Sequence, residues 1–567
     1  MKFSPALLCL CLFIIGCSQP QSDTSESDYI ATFESFTYEG SDPIYENLDV
    51  SSDEFINPVN AGFYPDPSIV RVENDYFMVH SSFSYYPGIP IFHSTDLVNW
   101  EQIGHVLDRP SQLPVDSLGL SRGIFAPTIE YHNGTFYVLS TLVDAGGNFM
   151  VTTSDPAGHW SDLKWLDNVG GIDPSIFFDD NGTSYVLNND APEGGPLYEG
   201  HRAIWIREYD VDSNRSIGEP EMIINGGVDI TQQPIWIEGP HIMKVNGEYI
   251  LHAAEGGTGP NHSQVVLKGD NPLGPFTPYE NNPILTQRHL SPNRDFAVEY
   301  VGHADMVETQ NGEWWTVFLG VRPYDGTHFN TGRETFLLPV TWTDGWPVIL
   351  EDDKTVPLKL QRPDLPKSTP PVPPQHGNFS YTDNFDSSEL ADYWVMIRNP
   401  DDVWWSLTPD GSLEIEARPD AISGLGNPSY IGRRQQHAYA SASTKMTFDP
   451  RDQSDAAGLV AFQSENFYYF LGVTLTADGE REIFLEKSEG DDKKIIASKI
   501  LDQDTGSDIY LKIDARGAVY DFSYGWNENN WTTLFEDADG TILSTVNAGG
   551  FVGTTFGMYA YSPAKSD

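Results

Sequence analysis

One pattern recurs five times between residues 57 and 358, and it restricts the chain to few folds. Its copies are Asp66-Pro67-Ser68-Ile69, Ala126-Pro127-Thr128-Ile129, Asp173-Pro174-Ser175-Ile176, Gly239-Pro240-His241-Ile242 and, more loosely, His303-Ala304-Asp305-Met306. A turn follows each: Asn74-Asp75, Asn133-Gly134, Asn181-Gly182, Asn246-Gly247 and Asn311-Gly312. Each turn opens into a run such as Tyr76-Phe77-Met78-Val79 or Trp314-Trp315-Thr316-Val317. Asn-Gly takes the positive φ angles of a type I′ hairpin turn readily. Flanks rich in β-branched and aromatic residues suit strands. Every copy therefore reads as a short strand that enters a hairpin, and repeated all-β units of this size are propeller blades. Five units predict a five-bladed β-propeller over residues 57–361. The first strand of a blade runs nearest the axis, so the starts of the repeats should converge on one mouth of the axial channel.

Beyond the repeats, residues 362–378 are dense in proline, which removes ladder donors and favours extended chain; they read as a linker. Residues 379–567 alternate in β fashion, as in Ser412-Leu413-Glu414-Ile415-Glu416-Ala417 and Tyr468-Tyr469-Phe470-Leu471-Gly472-Val473. The prediction there is an antiparallel β-sandwich. The whole chain is thus all-β, with 567 residues split between two domains.

The N-terminus reads as a targeting segment. Lys2 precedes an apolar run from Ala6 to Ile15, and Ile14-Ile15-Gly16-Cys17 matches a bacterial lipobox, with Cys17 as the acylated residue. Residues 1–17 are then a lipoprotein signal peptide. Residues 18–56 are read as a polar tether and lead-in, beginning with the acidic, apolar-poor Ser18–Asp28. The expected location is the bacterial cell envelope, lipid-anchored, with the membrane contacted through the anchor only. Cys9, Cys11 and Cys17 are the only cysteines, so the mature domains contain no disulfide, no thiolate metal site and no thiol nucleophile.

Net charge narrows the partners. The chain carries 82 acidic and 32 basic residues, a formal charge of −50. Nucleic acid, which needs a basic face, is excluded. No His/Cys cluster suggests zinc, and no glycine-rich phosphate loop occurs in a strand-to-helix setting.

Chemistry is suggested by what stands at the repeat starts: Asp66 in the first, Asp173 in the third, Glu238 in the fourth and His303 in the fifth. A single Asp before Pro would be a turn cap. Three carboxylates converging on one channel mouth repel each other, and such coupled groups serve reactions needing one ionised and one protonated acid. Glycoside hydrolysis is such a reaction.

Longer motifs carry a resemblance. Phe63-Tyr64-Pro65-Asp66-Pro67-Ser68, Ser81-Ser82-Phe83, Tyr86-Pro87-Gly88-Ile89-Pro90-Ile91 and His93-Ser94-Thr95-Asp96-Leu97-Val98-Asn99-Trp100 resemble the N-terminal signature of glycoside hydrolase family 43. Trp236-Ile237-Glu238-Gly239-Pro240-His241 and Gly332-Arg333-Glu334-Thr335-Phe336-Leu337 are similar to later motifs of its β-xylosidases, and Asp383-Asn384-Phe385-Asp386 resembles the opening of their concanavalin A-like sandwich. The resemblance implies an inverting enzyme with Asp66 as general base, Glu238 as general acid and Asp173 as tuner and orienter of the acid. Two such carboxyls stand about 6.5–9.5 Å apart. It further implies that Arg333 holds sugar hydroxyls, that Phe83 and Phe125 wall the terminal subsite, and that His303 lies beneath the sugar. Phe125 stands where these enzymes commonly have Trp. A surface salt bridge to Glu334 is the alternative for Arg333.

The implied activity is exo-acting release of xylose from xylo-oligosaccharides or polysaccharide. The alternatives are an α-L-arabinofuranosidase and a non-catalytic glycan-binding lipoprotein. No cofactor is required; a calcium or sodium ion in the channel, with His303 as a ligand, or in the sandwich is compatible. Oligomeric state carries no sequence signal.

Overall fold

A computed structural model describes residues 29–166, 168–502 and 506–563. The lipobox with Cys17 and the start of the tether lie outside the described residues. The architecture is all-β: five four- or five-stranded antiparallel sheets form the propeller and two eight-stranded sheets form the sandwich.

The inner strands of the blades are Ser68–Val72, Thr128–His132, Ile172–Phe178, Glu238–Val245 and Glu299–Glu308. Each pairs with the next strand through the turn expected from the sequence, with local differences. At Asn133-Gly134 and Asn246-Gly247 both residues have positive φ (49° and 84°, 52° and 88°), as a type I′ turn requires. At Asn181-Gly182 and Asn311-Gly312 only the glycine does. There the loop is longer, closed by Asp179 N to Thr183 O and by Thr309 N to Glu313 O. In the first blade the two turn residues are Glu73 and Asn74, because Val72 pairs directly with Asp75.

A belt of side-chain hydrogen bonds links the inner strands around the axis. Ser68 Oγ donates to Asp305 Oδ2 at 2.8 Å and accepts from Ile129 N at 3.1 Å. Thr128 Oγ1 donates to Pro174 O, and Ser175 Oγ to Pro240 O. His241 Nδ1 faces Asp305 Oδ1 at 3.6 Å. Each blade is thereby tied to both neighbours at the same level. The ring closes at Glu54–Ile56, which pairs with Lys359–Gln361, and at Asn57, whose side chain bonds both Leu337 O and Leu337 N.

The lead-in departs from expectation. Within residues 18–56, read as a polar tether and lead-in, Ile30–Gly40 is a strand inside the sandwich. It pairs with Ser412–Glu416, Tyr439–Thr447 and Phe379–Asp383. Ala31, Phe33, Phe36 and Tyr38 are buried in the core between the two sheets. A bulge between Phe33 and Ser35 shifts the alternation by one residue, which hides the strand from a period-2 reading.

The domains also share a sheet. Tyr85–Tyr86, from the first blade, adds to the edge of the second sandwich sheet by pairing with Met396 and Ile397. The interface places the sandwich loop Gly549–Thr554 against the propeller mouth. Thr554 N donates to Asn330 O and Phe551 N to Ser121 Oγ. Gly332 and Gly553 meet there; a Cβ on Gly332 would stand 2.8 Å from Gly553 N.

Candidate active site

Four repeat starts share one backbone feature. Asp66, Asp173, Gly239 and His303 have φ of 55°, 55°, 55° and 49°. Left-handed backbone at a non-glycine residue is uncommon, and three such residues at matching positions mark a built feature. The ladders of the third, fourth and fifth blades show register shifts at these positions, so each inner strand begins with a bulge that re-aims its first side chain. In the fourth blade the left-handed residue is Gly239, and the acid is the preceding Glu238. The acid is therefore offset by one residue from the positions of Asp66 and Asp173, where the sequence pattern had placed all three as equivalent. Gly239 leaves no room for a side chain: a Cβ would stand 2.6 Å from His303 Nε2.

The bulges bring the predicted residues together. Asp66, Asp173, Glu238, His303, Arg333, Phe83 and Phe125 all line one cavity of about 460 Å³. Glu334, the alternative partner for Arg333, pairs with Arg322 through Oε2 at 2.6 Å and Oε1 at 2.8 Å. Arg333 is thereby free to reach Asp66, donating to Oδ1 at 3.0 Å, and Thr258 Oγ1 at 3.1 Å.

The three carboxyls sit in different environments. Asp66 is buried, which alone would raise its pKa, but Arg333, His303 and the 2.6 Å bond from Ser81 Oγ outweigh burial and hold it below the usual carboxylate range. Asp173 is buried beside Asp66 with one compensating bond, from Gly239 N at 3.1 Å, and is pushed up to about 7. Glu238 accepts no hydrogen bond from the protein among the described residues. Burial, then Asp173, then Asp66, push it well above its usual range. One carboxyl is thus biased toward the ionised form and another toward the protonated form in one cavity, the division that acid–base catalysis on a glycosidic bond needs.

His303 turns Nδ1 to Asp66 Oδ1 at 3.7 Å, and burial lowers its pKa to about 4, so it is neutral near pH 7. Among the described residues no group of three or more His, Cys, Asp or Glu could hold a metal ion.

The aromatic wall contains a residue that sequence reasoning missed. Phe551, from the sandwich loop, stacks on Phe83 (ring centroids 6.1 Å apart, planes at 14°) and meets Phe125 edge-on at 5.5 Å. The Arg333 guanidinium lies 5.5 Å from its ring centroid. No motif surrounds Phe551, and about 190 residues separate it from the end of the propeller repeats. Trp236, Arg202, Arg122, Thr258 and His262 also line the cavity. Of these, only Trp236 stood within a motif quoted above.

Comparison with known proteins places these features. The model of glycosyl hydrolases family 43 matches residues 55–347, and that of the beta xylosidase C-terminal concanavalin A-like domain matches residues 382–567. A xylosidase/arabinosidase of Butyrivibrio fibrisolvens is 38% identical, over 90% of this chain and 96% of that protein. A non-reducing end alpha-L-arabinofuranosidase of Bacteroides ovatus is 35% identical, over 91% and 92%. A crystal structure of a GH43_12 protein from a capybara gut metagenome superposes with a TM-score of 0.87 at 42% identity, covering 94% of this chain and 99% of that one.

Proposed function

The chain belongs to glycosyl hydrolase family 43 and is a glycosidase, and on that premise we propose that it releases single xylose units from the non-reducing ends of xylo-oligosaccharides with inversion. The observation that supports this most directly is the division between Asp66, ionised under Arg333 and Ser81, and Glu238, protonated and unpartnered. Asp66 takes a proton from water as the water attacks the anomeric carbon. Glu238 gives its proton to the leaving oxygen, and the C–O bond breaks. Asp173, raised by the same burial, keeps Glu238 protonated by repulsion and orients the Gly239 peptide through its hydrogen bond. Phe83, Phe125 and Phe551 wall the terminal sugar, and the Arg333 guanidinium addresses its hydroxyls. Two carboxyls and water supply the chemistry, so no cofactor enters.

Three aromatic rings and the sandwich loop on one side of the cavity favour an end-capturing site over a through-running cleft. Release of α-L-arabinofuranose is the second reading, favoured by the activity named for the Bacteroides ovatus relative. Lipid attachment at Cys17 in the cell envelope belongs to the same proposal and rests on the lipobox alone.

Hydrolysis of 4-nitrophenyl β-D-xylopyranoside and α-L-arabinofuranoside by wild type and Glu238→Ala tests the reading. The xyloside should be preferred, and its turnover should fall about 10²–10⁴-fold in the variant. NMR of the first-formed anomer reports inversion. Preference for the arabinofuranoside would keep the mechanism and replace the substrate.

A further inference from the structure

Three arginines line the cavity, and two have partners. Arg333 bonds Asp66 and Thr258, and Arg122 pairs with Asp144 at 2.6 Å. The third, Arg202, makes no ion pair and no side-chain hydrogen bond among the described residues. It is nevertheless held in place: its guanidinium stacks on the Trp236 ring, 4.3 Å from the centroid. The backbone of Trp236 is fixed in turn by its main-chain N–H, which donates to Gly200 O at 2.8 Å, and by a left-handed φ of 51°. An unsatisfied guanidinium is conspicuous in a chain with 82 acidic and 32 basic residues, where a carboxylate partner is easily found.

Position gives this group a meaning. Trp236 lies two residues before Glu238, so the Arg202–Trp236 pair forms the wall beside the acid. Arg333 and the Ser81 hydroxyl lie beside the base. On the acid's side stands the part of the substrate that leaves. The balance of charge in the cavity points the same way. Arg333 is matched by Asp66 and Arg122 by Asp144, so Arg202 is the one lining guanidinium left without an ion-pair partner among the described residues.

We propose that the Arg202–Trp236 pair is a subsite for a carboxylate on the leaving portion of the substrate, that is, for a uronic acid attached to the sugar next to the scissile bond. A guanidinium pre-oriented on an indole presents its paired N–H groups to a carboxylate in a bidentate fork, whereas a neutral sugar offers it only hydroxyls. The inference rests on the assignment of Glu238 to the leaving side made above.

Binding calorimetry in the Glu238→Gln background, which prevents turnover, tests it. The two probes are xylobiose and xylobiose bearing glucuronic acid on its reducing-end sugar. The acidic ligand should bind about tenfold more tightly, the value of one partly exposed charge-assisted pair. Adding Arg202→Gln should bring the ratio to about one, and Arg202→Lys, which keeps the charge but not the fork, should retain part of the preference. Equal affinities, no binding of either ligand, or a preference that survives Arg202→Gln would overturn the subsite. Failure of wild type to cleave either aryl pentoside would instead strike the glycosidase assignment, and the binding arms read out independently of it.

Discussion

Arg333 and Asp66 are joined between the fifth and first blades, with the guanidinium donating to Oδ1 at 3.0 Å from a residue 267 positions further along the chain. The bond sets the ionisation of Asp66 against the burial that opposes it. Arg333→Ala should therefore do two things. It should lower kcat/KM by about 10²–10³-fold through lost positioning. It should also move the acidic limb of the pH profile upward, because a carboxyl deprived of its cation ionises at higher pH. A pH series of kcat/KM checks both. An unchanged acidic limb would remove Asp66 from the role of base.

Asp173 acts on the opposite limb. Its charge helps hold Glu238 protonated. In Asp173→Asn that repulsion is gone, so the basic limb of the profile should move to lower pH as the acid ionises sooner. Activity at pH 8 should fall more than activity at pH 5.

The same substitution has a stability signature. Asp173 is raised to about 7 from its ordinary 3.8, so the folded protein retains a proton that the unfolded chain releases. A group of this kind favours folding most at pH values below its unfolded pKa, and that contribution is lost as pH rises through the folded pKa. The melting temperature of Asp173→Asn relative to wild type should therefore increase between pH 4 and pH 8. Thermal unfolding across that range reads the effect, and a constant difference would show that the carboxyl titrates normally.

Phe551 tests whether the sandwich completes the site. Phe551→Ala removes a ring that contacts Phe83, Phe125 and Arg333. Its kcat/KM on the preferred aryl pentoside should drop about tenfold or more, in line with an aromatic contact and the packing around it. The melting temperature should change little, since Phe551 is only partly buried. A variant as active as wild type would make the wall redundant.

The strand Ile30–Gly40 is open to a simpler test. Phe36 is buried against Trp394, with ring centroids 5.0 Å apart, so Phe36→Ala should cost about 3–5 kcal/mol. Deleting residues 30–40 removes the partner of three strands and should leave the sandwich unfolded. Limited proteolysis of residues 379–563 would show it.

The propeller was legible because its signals are local and repeated: a proline motif, a turn and a β run within some fifteen residues, five times over. The left-handed positions of Asp66, Asp173 and His303 were marked by that register. Glu238 was found with them, and its one-residue offset follows from aligning the prolines, since Gly239-Pro240 matches Asp66-Pro67 and Asp173-Pro174 and puts Gly239 at the left-handed position. Phe551 and Arg202 lay beyond reach, because each enters the cavity from a loop whose own sequence has no periodicity. The first sandwich strand failed for a different reason. Its apolar residues Ala31, Phe33, Phe36 and Tyr38 are present, but the bulge at Phe33/Ser35 breaks their parity and the acidic tether before them lends them its character.

That strand has a topological consequence. Because Ile30–Gly40 lies between strands from residues 379 to 447, the sandwich is assembled from both ends of the described chain, and the propeller is an excursion from within it. Its two connections leave and return side by side, where Asp42 and Asn378 exchange hydrogen bonds at 2.9 and 3.1 Å. A catalytic module spliced in at two points cannot swing on a hinge as a module hung from one linker can, which holds Phe551 over the mouth without a lid. During synthesis the first strand must wait, unpaired, until some 340 residues later its partners emerge; the domain that completes the active site is then the last to close.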